Sequence, residues 1–319
     1  MYSNNISLYR EFCSQNSQVP LFIQPWWMDA VCPKFKWNVL LFTKKNQILG
    51  VWVFQVFEKW GFKLIIQPQL TQYNGIWINR PDNLSDNKVI SFDNKVITNL
   101  LKQFESVKFS YFDQNFHHSF SNWLPFYWRG FKQTTRYTYQ IKNILDTDKC
   151  FEEFNYDKRN LIKKSINKLT CTHTLSGEDF YKITKENLAK LGKKISYSES
   201  TFLALYRAST ERGQSAVLAC YDDANTLHAA LFLVWDEHVA YNLISTINPD
   251  LKASGGSALV VWEAIKFLKD KTQIFDFEGS MIESVENSFR HFGTSQVPYF
   301  RVRKYNSFVF RLLYLLKNI

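Results

Sequence analysis

One stretch, residues 244–303, constrains the fold of this chain more than any other. It passes from an apolar segment through a turn of small residues at 253–257 into an apolar-periodic helix at 258–268. An apolar strand at 273–278 follows and stops at a glycine. This order of strand, small-residue turn, helix and strand predicts an α/β unit in which the turn leads directly into a helix N-terminus.

The small-residue turn is predicted to bind an anion. The unpaired N–H groups of a helix N-terminus and the helix dipole together favour phosphate. Gly255 and Gly256 can adopt positive φ and let a ligand approach the backbone, while Ser257 can cap the helix. A plain capped loop has the same pattern, and that alternative stays open. The candidate anion-binding residues are Lys252, Ser254, Gly255, Gly256 and Ser257.

The strand at residues 273–278 carries two acids in an otherwise apolar segment. Alternation places Ile274, Asp276 and Glu278 on one face and the two phenylalanines on the other. A buried carboxylate is costly unless it is hydrogen-bonded, and burial raises its pKa, so either acid could serve as a base near neutral pH. The alternative is structural: the acids pair with lysines or cap the following turn.

Several short segments carry a resemblance to a known family, and their order and spacing matter more than any one of them. They are residues 130–131 with 137–139, 159–165, 275–281 (FDFEGSM), 289–293 (FRHFG) and 299–302. Together they resemble the GNAT-like acyltransferases of the FemXAB and "acetyltransferase six" type. That family ends in a Tyr/Phe-Asp-Phe-Gly-Gly strand and an aromatic-basic-x-aromatic-Gly signature, and it has an Arg-x-x-Ile-x-x-Ala helix upstream.

The resemblance implies tandem GNAT-like domains, each a mixed, mostly antiparallel sheet flanked by helices in an α/β (α+β) fold. The N-terminal domain, residues 1–135, would lie on the acceptor side, and residues 136–319 would form the acyltransferase domain. In such a fold the acyl donor lies between two splayed strands, here 239–244 and 273–278, with its diphosphate on the turn between them.

The resemblance also implies roles for side chains. Asp276 or Glu278 is the candidate base, and Tyr241 or Tyr299 is the candidate acid for the leaving group. Arg290 is a candidate for binding an anionic group of the substrate. The substrate-binding candidates also include Arg159, which lies in a local basic cluster at residues 158–168.

The function implied is N-acylation of an amine, in a small molecule, a cell-envelope precursor or a sugar-linked metabolite, by acyl-CoA (acetyl-CoA or longer). One alternative is a FemXAB-like transferase dependent on aminoacyl-tRNA. Peptide-bridge enzymes of that kind carry a coiled-coil insertion for tRNA, and the absence of a heptad run here favours acyl-CoA.

A second alternative is a non-catalytic ligand-binding module that keeps the fold. Residues 252–257 lack the family's Arg/Gln-x-x-Gly-x-Gly/Ala form and Glu278 replaces a frequent glycine, so the donor stays open.

Composition narrows the class of protein. A formal net charge of +10 permits an anionic partner, such as nucleic acid, a membrane surface or a polyphosphate-bearing substrate. Five cysteines without a C-x-x-C pair argue against a disulfide framework and a zinc site, and the histidines show no metal-binding spacing. No metal cofactor is therefore expected. The polar, uncharged start and the lack of a long apolar run predict a cytoplasmic chain without a transmembrane segment.

The C-terminal segment at residues 308–317 is apolar apart from two basic residues. A packed terminal helix and a peripheral contact with a membrane are both compatible with this pattern.

Overall fold

The structure is a computed structural model that describes residues 2–32 and 37–317. The chain forms two compact units: unit 1 comprises Met1–Arg136 and Pro298–Ile319, and unit 2 comprises Tyr137–Val297. The predicted domain boundary between residues 135 and 136 lies close to this division. The predicted second domain extended to residue 319, whereas the structure groups the last 22 residues, 298–319, with unit 1.

Both units combine helices with strands. The helices, in chain order, are α1 (Tyr2–Ser14), α2 (Pro25–Val31), α3 (Asp86–Phe104), α4 (Leu124–Tyr127), α5 (Thr147–Glu152), α6 (Tyr156–Ile166), α7 (Gly177–Lys190), α8 (Glu199–Thr210), α9 (Gly256–Leu268), α10 (Glu283–Arg290) and α11 (Phe308–Lys317). The strands are β1 (Trp37–Lys44), β2 (Gln47–Gln55), β3 (Phe57–Lys59), β4 (Phe62–Ile66), β5 (Gly75–Ile78), β6 (Tyr111–Asn115), β7 (Lys132–Ile141), β8 (Thr170–Thr172), β9 (Ser215–Tyr221), β10 (Leu227–Trp235), β11 (Val239–Ile247), β12 (Ile274–Asp276) and β13 (Ser295–Tyr305).

Unit 1 contains an antiparallel sheet, β1-β2-β5, and a group of strands in the order β3-β4-β6-β13. Strands β1 and β2 form a hairpin, with Lys45 and Asn46 at positive φ in its turn. Trp52 is the centre of the core, since it stacks on Phe104 at 4.0 Å between ring centroids and donates its indole N–H to Gln114. Such a donated hydrogen bond allows a buried tryptophan to keep its polar atom satisfied.

Unit 2 contains the strands in the order β7-β12-β11-β10-β9-β8. All neighbouring pairs are antiparallel except β11 and β12, which are parallel and are joined through α9. Helix α9 is apolar on most of its surface and is buried accordingly, with Leu259, Ile265 and Leu268 at 0 or 1% exposure. The predicted α/β fold with a mixed, mostly antiparallel sheet is thus confirmed.

The structure defines the bounds of two segments. The segment between residues 147 and 166 forms two helices, α5 and α6, because Asn155 caps α6 by accepting from the amide of Asp157. The strand expected at 273–278 is shorter than predicted, because β12 covers only Ile274–Asp276. None of the helices in the described ranges combines the length and hydropathy that a membrane span requires.

The cysteines also give a correction. Cys171 on β8 and Cys220 on β9 occupy directly paired positions and form a disulfide, which their spacing along the chain did not indicate. Paired positions on adjacent antiparallel strands bring side chains together regardless of their separation along the chain, in this case 49 residues. Cys13, Cys32 and Cys150 are free thiols.

Candidate active site

The candidate site lies where β11 and β12 separate. The two strands pair over three positions only, and the last pair is Tyr241 with Asp276. Strand β11 continues to Ile247, while β12 stops. In the part of the chain that the structure describes, the backbone of β11 beyond Tyr241 therefore has no β12 partner on this side. Such an edge can accept an extended ligand as an added strand.

A β-bulge accompanies the separation of the strands. Phe232 of β10 pairs with Ile244, but the next residue, Leu233, pairs with Asn242, so Leu243 is an extra residue in β11. Bulges bend a strand and increase its local twist, and they are frequent beside active sites. The bulge begins just after Tyr241, at the position where β11 leaves β12.

Asp276 is held by donated hydrogen bonds from three directions. The hydroxyl of Thr138 and the backbone amide of Glu278 donate to Oδ1, and Gln140 Nε2 donates to Oδ2 at 2.7 Å. Its side chain is completely buried. Lys142 donates a hydrogen bond to Gln140 Oε1, so it is linked to Asp276 through the Gln140 side chain. The structural alternative from the sequence is partly realised, because Asp276 does cap the turn that follows it.

The two acids are both shifted toward the neutral form. Burial raises the pKa of Asp276 to about 6 against the opposing effect of its hydrogen-bond donors and of Lys142. Burial also raises the pKa of Glu278 well above its usual range, and repulsion from the Asp276 carboxylate adds to this. Glu278 is half-buried as a residue, whereas Asp276 is fully buried, but the Oε1 atom of Glu278 is itself shielded from solvent.

Tyr241 is the third titratable group at the point of separation. Its side chain is 1% exposed and it occupies the register position opposite Asp276. Burial is the main reason that the pKa of Tyr241 is raised, and the carboxylates of Asp236, Asp276 and Glu278 raise it further. The phenol therefore keeps its proton at neutral pH and can act as a hydrogen-bond donor or an acid.

The backbone after β12 changes course at Glu278 and Gly279. Both have positive φ, 60° and 68°, so the strand alternation expected for Glu278 does not apply. A Cβ at Gly279 would lie 2.0 Å from the carbonyl oxygen of Tyr137, so only glycine fits there. The left-handed turn ends the strand, and the amide of Glu278 donates to the Asp276 carboxylate.

The small-residue turn is more closely packed than the sequence predicted. Gly255 has φ +81° as expected, but Ser254, rather than Ser257, accepts the amide of Gly256. A Cβ at Gly255 would approach Ser165 Oγ within 2.2 Å, and one at Gly256 would approach His228 Cβ within 2.9 Å. A diphosphate could use the Gly256 amide only if the Ser254 hydroxyl turned away.

The remaining predicted residues are not all brought to this point. Lys252 is exposed, and Arg290 pairs with Glu286 at 3.4 Å on α10. Arg159 donates to the backbone carbonyl of Glu152 and lines a groove of about 590 Å³ between α5, α6 and Trp262 of α9. Tyr299 belongs to unit 1, where its ring lies edge-on to Tyr73 at 5.2 Å.

Two residues of the site were missed at the level of sequence. Thr138 and Gln140 alternate with apolar Tyr139 and Ile141 along β7, and this alternation was the available signal. It indicates a polar face, but it does not reveal that the face meets Asp276, which is 136 residues beyond Gln140.

Comparison with solved structures shows a GNAT-like fold of the FemXAB type. No protein-family model and no curated protein sequence matches the chain. Among solved structures, FemX superposes with a TM-score of 0.68 at 11% identity, covering 92% of this chain and 95% of that one.

Two further structures agree with this fold. The C-terminal domain of a putative lysylphosphatidylglycerol synthetase from Agrobacterium fabrum has a TM-score of 0.56 at 8% identity, covering 94% of this chain and 92% of that one. A tandem GNAT protein from the clavulanic acid biosynthesis pathway has a TM-score of 0.54 at 6% identity, covering 95% and 94%. At these identities the similarity establishes the fold.

Proposed function

We propose that this protein transfers an acyl or aminoacyl group to an amine in the gap between β11 and β12. The observation that carries the proposal is the convergence of Tyr241, Asp276 and Glu278 where the two strands separate. Groups with strongly shifted pKa values in a polar gap are typical of acid and base catalysts. The FemX and tandem GNAT structures, which have the same fold, support the choice of reaction class.

In this proposal Glu278 is the base that takes a proton from the attacking amine. It lies at the end of β12 in a residue that is less buried than Asp276, and its raised pKa makes it a stronger base than an ordinary glutamate. Asp276 positions it, because its carboxylate accepts the amide of Glu278 and fixes the turn. Tyr241, which stays protonated, donates to the leaving group. The unpaired edge of β11 aligns the donor.

The donor is proposed to be an activated carbonyl, either the thioester of acyl-CoA or the ester of aminoacyl-tRNA. The dipole of α9 and the left-handed Gly255 support a diphosphate at the turn, as in acyl-CoA. The bond from the Gly256 amide to Ser254 Oγ opposes it, and this observation favours the aminoacyl ester as the second candidate. The amine is proposed to be a small molecule or a cell-envelope precursor.

Thermal unfolding with each donor class tests the proposal. We expect acetyl-CoA, a longer acyl-CoA or an aminoacyl-tRNA to raise the melting temperature, because a ligand that binds only the folded state stabilises it by mass action. Free CoA and deacylated tRNA serve as controls that show whether the acyl or aminoacyl group itself contributes to the stabilisation. No shift with any of the donors would favour a non-catalytic module and contradict the proposal.

A pair of variants at Gly256 locates the diphosphate. Gly256→Ala adds a Cβ near His228, and Gly256→Asp adds the same atom together with a negative charge. If the diphosphate rests on the turn, Gly256→Asp should weaken CoA binding by at least about tenfold relative to Gly256→Ala, because the charge repels the ligand. Equal binding by the two variants would exclude the turn as the diphosphate site.

A further inference from the structure

Helix α11 presents an apolar face that the described parts of unit 1 do not cover. Phe310 and Tyr314 pack on Leu64, Tyr111 and the aromatic rings beside them. The other apolar residues of the helix are exposed, from 42% at Leu313 to 64% at Leu316 and 78% at Phe308. The exposed set is Phe308, Val309, Leu312, Leu313, Leu315 and Leu316. A soluble monomer rarely leaves so many neighbouring large apolar side chains in water.

The exposed residues of α11 form one continuous arc. At about 100° per residue they span about 160° of the helix circumference, and Leu312 and Leu316 lie on either side of the middle of the arc. Phe310 and Tyr314 lie on the opposite side, where the helix contacts unit 1. The helix thus attaches by one aromatic edge and directs its apolar face straight outward.

The hairpin of β3 and β4 extends this surface. Its Phe62 contacts Phe310 of α11 with ring centroids 5.3 Å apart, so the hairpin adjoins the helix. Trp60, at the hairpin turn, is 62% exposed, and Phe57 on β3 is 38% exposed. Lys59 lies against the Trp60 ring at 4.6 Å. An exposed tryptophan next to a lysine is typical of residues at a membrane–water interface.

The charge around this surface is positive. Between Pro298 and Ile319 the sequence contains five Lys or Arg residues and no Asp or Glu. Asp113 neutralises Arg301, and Glu58 on the hairpin pairs with Lys63 at 3.9 Å. Arg311 on α11 and Lys59 on the hairpin have no ion pair within the described residues. An apolar face with basic residues beside it is complementary to a bilayer that contains anionic lipids.

We propose that α11 and the β3–β4 hairpin dock unit 1 on an anionic membrane surface. The helix has 10 residues, which is too short to cross a bilayer, so it lies in the plane of the interface with Leu312 and Leu316 toward the acyl chains. Trp60 enters at the level of the headgroups, and Lys59 and Arg311 contact their phosphates. This docking does not depend on the proposed transferase activity.

Co-sedimentation with vesicles tests the docking. We expect the protein to bind vesicles of equimolar phosphatidylcholine and phosphatidylglycerol, and the double variant Leu312→Asp/Leu316→Asp to bind at least about tenfold more weakly. Both positions are exposed, so the variant should keep the wild-type melting temperature. Ile90→Asp on α3 is the matched control, because Ile90 is 53% exposed on the same unit, and it should bind as wild type does.

A charge variant separates the electrostatic contribution from the apolar one. Lys59→Glu/Arg311→Glu should weaken binding to the anionic vesicles but not to pure phosphatidylcholine, and salt should weaken wild-type binding to the anionic vesicles. Failure of wild type to bind the anionic vesicles would overturn the proposal. Equal binding of the wild type and the Leu312/Leu316 variant to these vesicles would also overturn it. A third contradicting result would be a wild-type protein that does not bind vesicles but forms a stable dimer that the variant dissociates, because the apolar face would then contact a second copy of the chain.

Discussion

Asp276 shows how burial and hydrogen bonding oppose each other at a single residue. Its three donors stabilise the ionised form, yet burial outweighs them and raises the pKa to about 6. Because the pKa is raised in the folded state, this group stabilises the fold most at pH values below its unfolded pKa. That contribution is lost as pH rises through about 6.

We therefore expect Asp276→Asn to change the pH dependence of stability. The wild-type protein should lose free energy of unfolding between pH 5 and 7.5 relative to the variant, by about 1 to 3 kcal/mol. Denaturant unfolding of both proteins at the two pH values measures the difference. The variant should also be less stable overall. The Asp276 carboxylate accepts a hydrogen bond from each of its donors, whereas the amide N–H group of an asparagine would be placed against one of those donors. A pH-independent difference would show that Asp276 does not titrate in this range.

Gly279 is the second residue where the local geometry decides the outcome. We expect Gly279→Ala to destabilise the protein by about 3 kcal/mol or more, because it combines an unfavourable positive φ with a clash against the backbone of Tyr137. Gly192→Ala is the matched control: its φ is +67° and no atom lies within 4 Å of the added Cβ. It should cost only about 1 kcal/mol. Similar losses for both variants in chemical unfolding would contradict the close packing at Gly279.

The sequence predicted the acids of the candidate site but not their hydrogen-bond partners. Asp276 and Glu278 were identifiable because charged residues are unexpected in an apolar strand. Their environment depends on β7, whose Thr138 and Gln140 are far away in the chain. The positive φ of Glu278 was not predictable either, since glutamate rarely adopts it and tertiary packing imposes it.

Among the elements, those with strong local signals were predicted well. Helix α9 follows directly from the apolar periodicity at residues 258–268. Strand β12 is shorter than its apolar pattern because the left-handed residues at 278 and 279 end the pairing. The closed packing of the turn before α9 depends on α6, and no local pattern encodes that contact.

The cross-strand disulfide gives a prediction for β8 and β9. Because it links residues 49 apart, we expect it to contribute about 2 to 4 kcal/mol to the free energy of unfolding, mainly by restricting the unfolded chain. A reductant should lower the stability of the wild-type protein and leave Cys171→Ser unchanged. Thiol titration of the unfolded, unreduced protein should detect three free cysteines. Detection of all five would contradict the disulfide.

For the whole molecule, fold and function rest on different evidence. The tandem GNAT-like architecture was implied by short motifs in the right order, and the structure and its similarity to FemX confirm it. The proposed donor and acceptor depend on how ligands would approach the strands β11 and β12 where they separate, which neither composition nor motif spacing describes. The exposed face of α11 also depends on the whole molecule. Its apolar composition was visible in the sequence, but the sequence did not show that these side chains are exposed.

The most direct test of the proposed chemistry is transfer of a labelled acyl group to an amine by the wild-type protein and by Glu278→Gln. We expect wild type to form the amide from acyl-CoA or from aminoacyl-tRNA, with a rate that rises as pH passes upward through the raised pKa of Glu278. The variant should keep the wild-type melting temperature within about 2 °C, lose this pH dependence and be about 10² to 10⁴ times slower. An absence of transfer from both donors, or transfer by Glu278→Gln at the wild-type rate, would contradict the assignment of this gap as a transferase site.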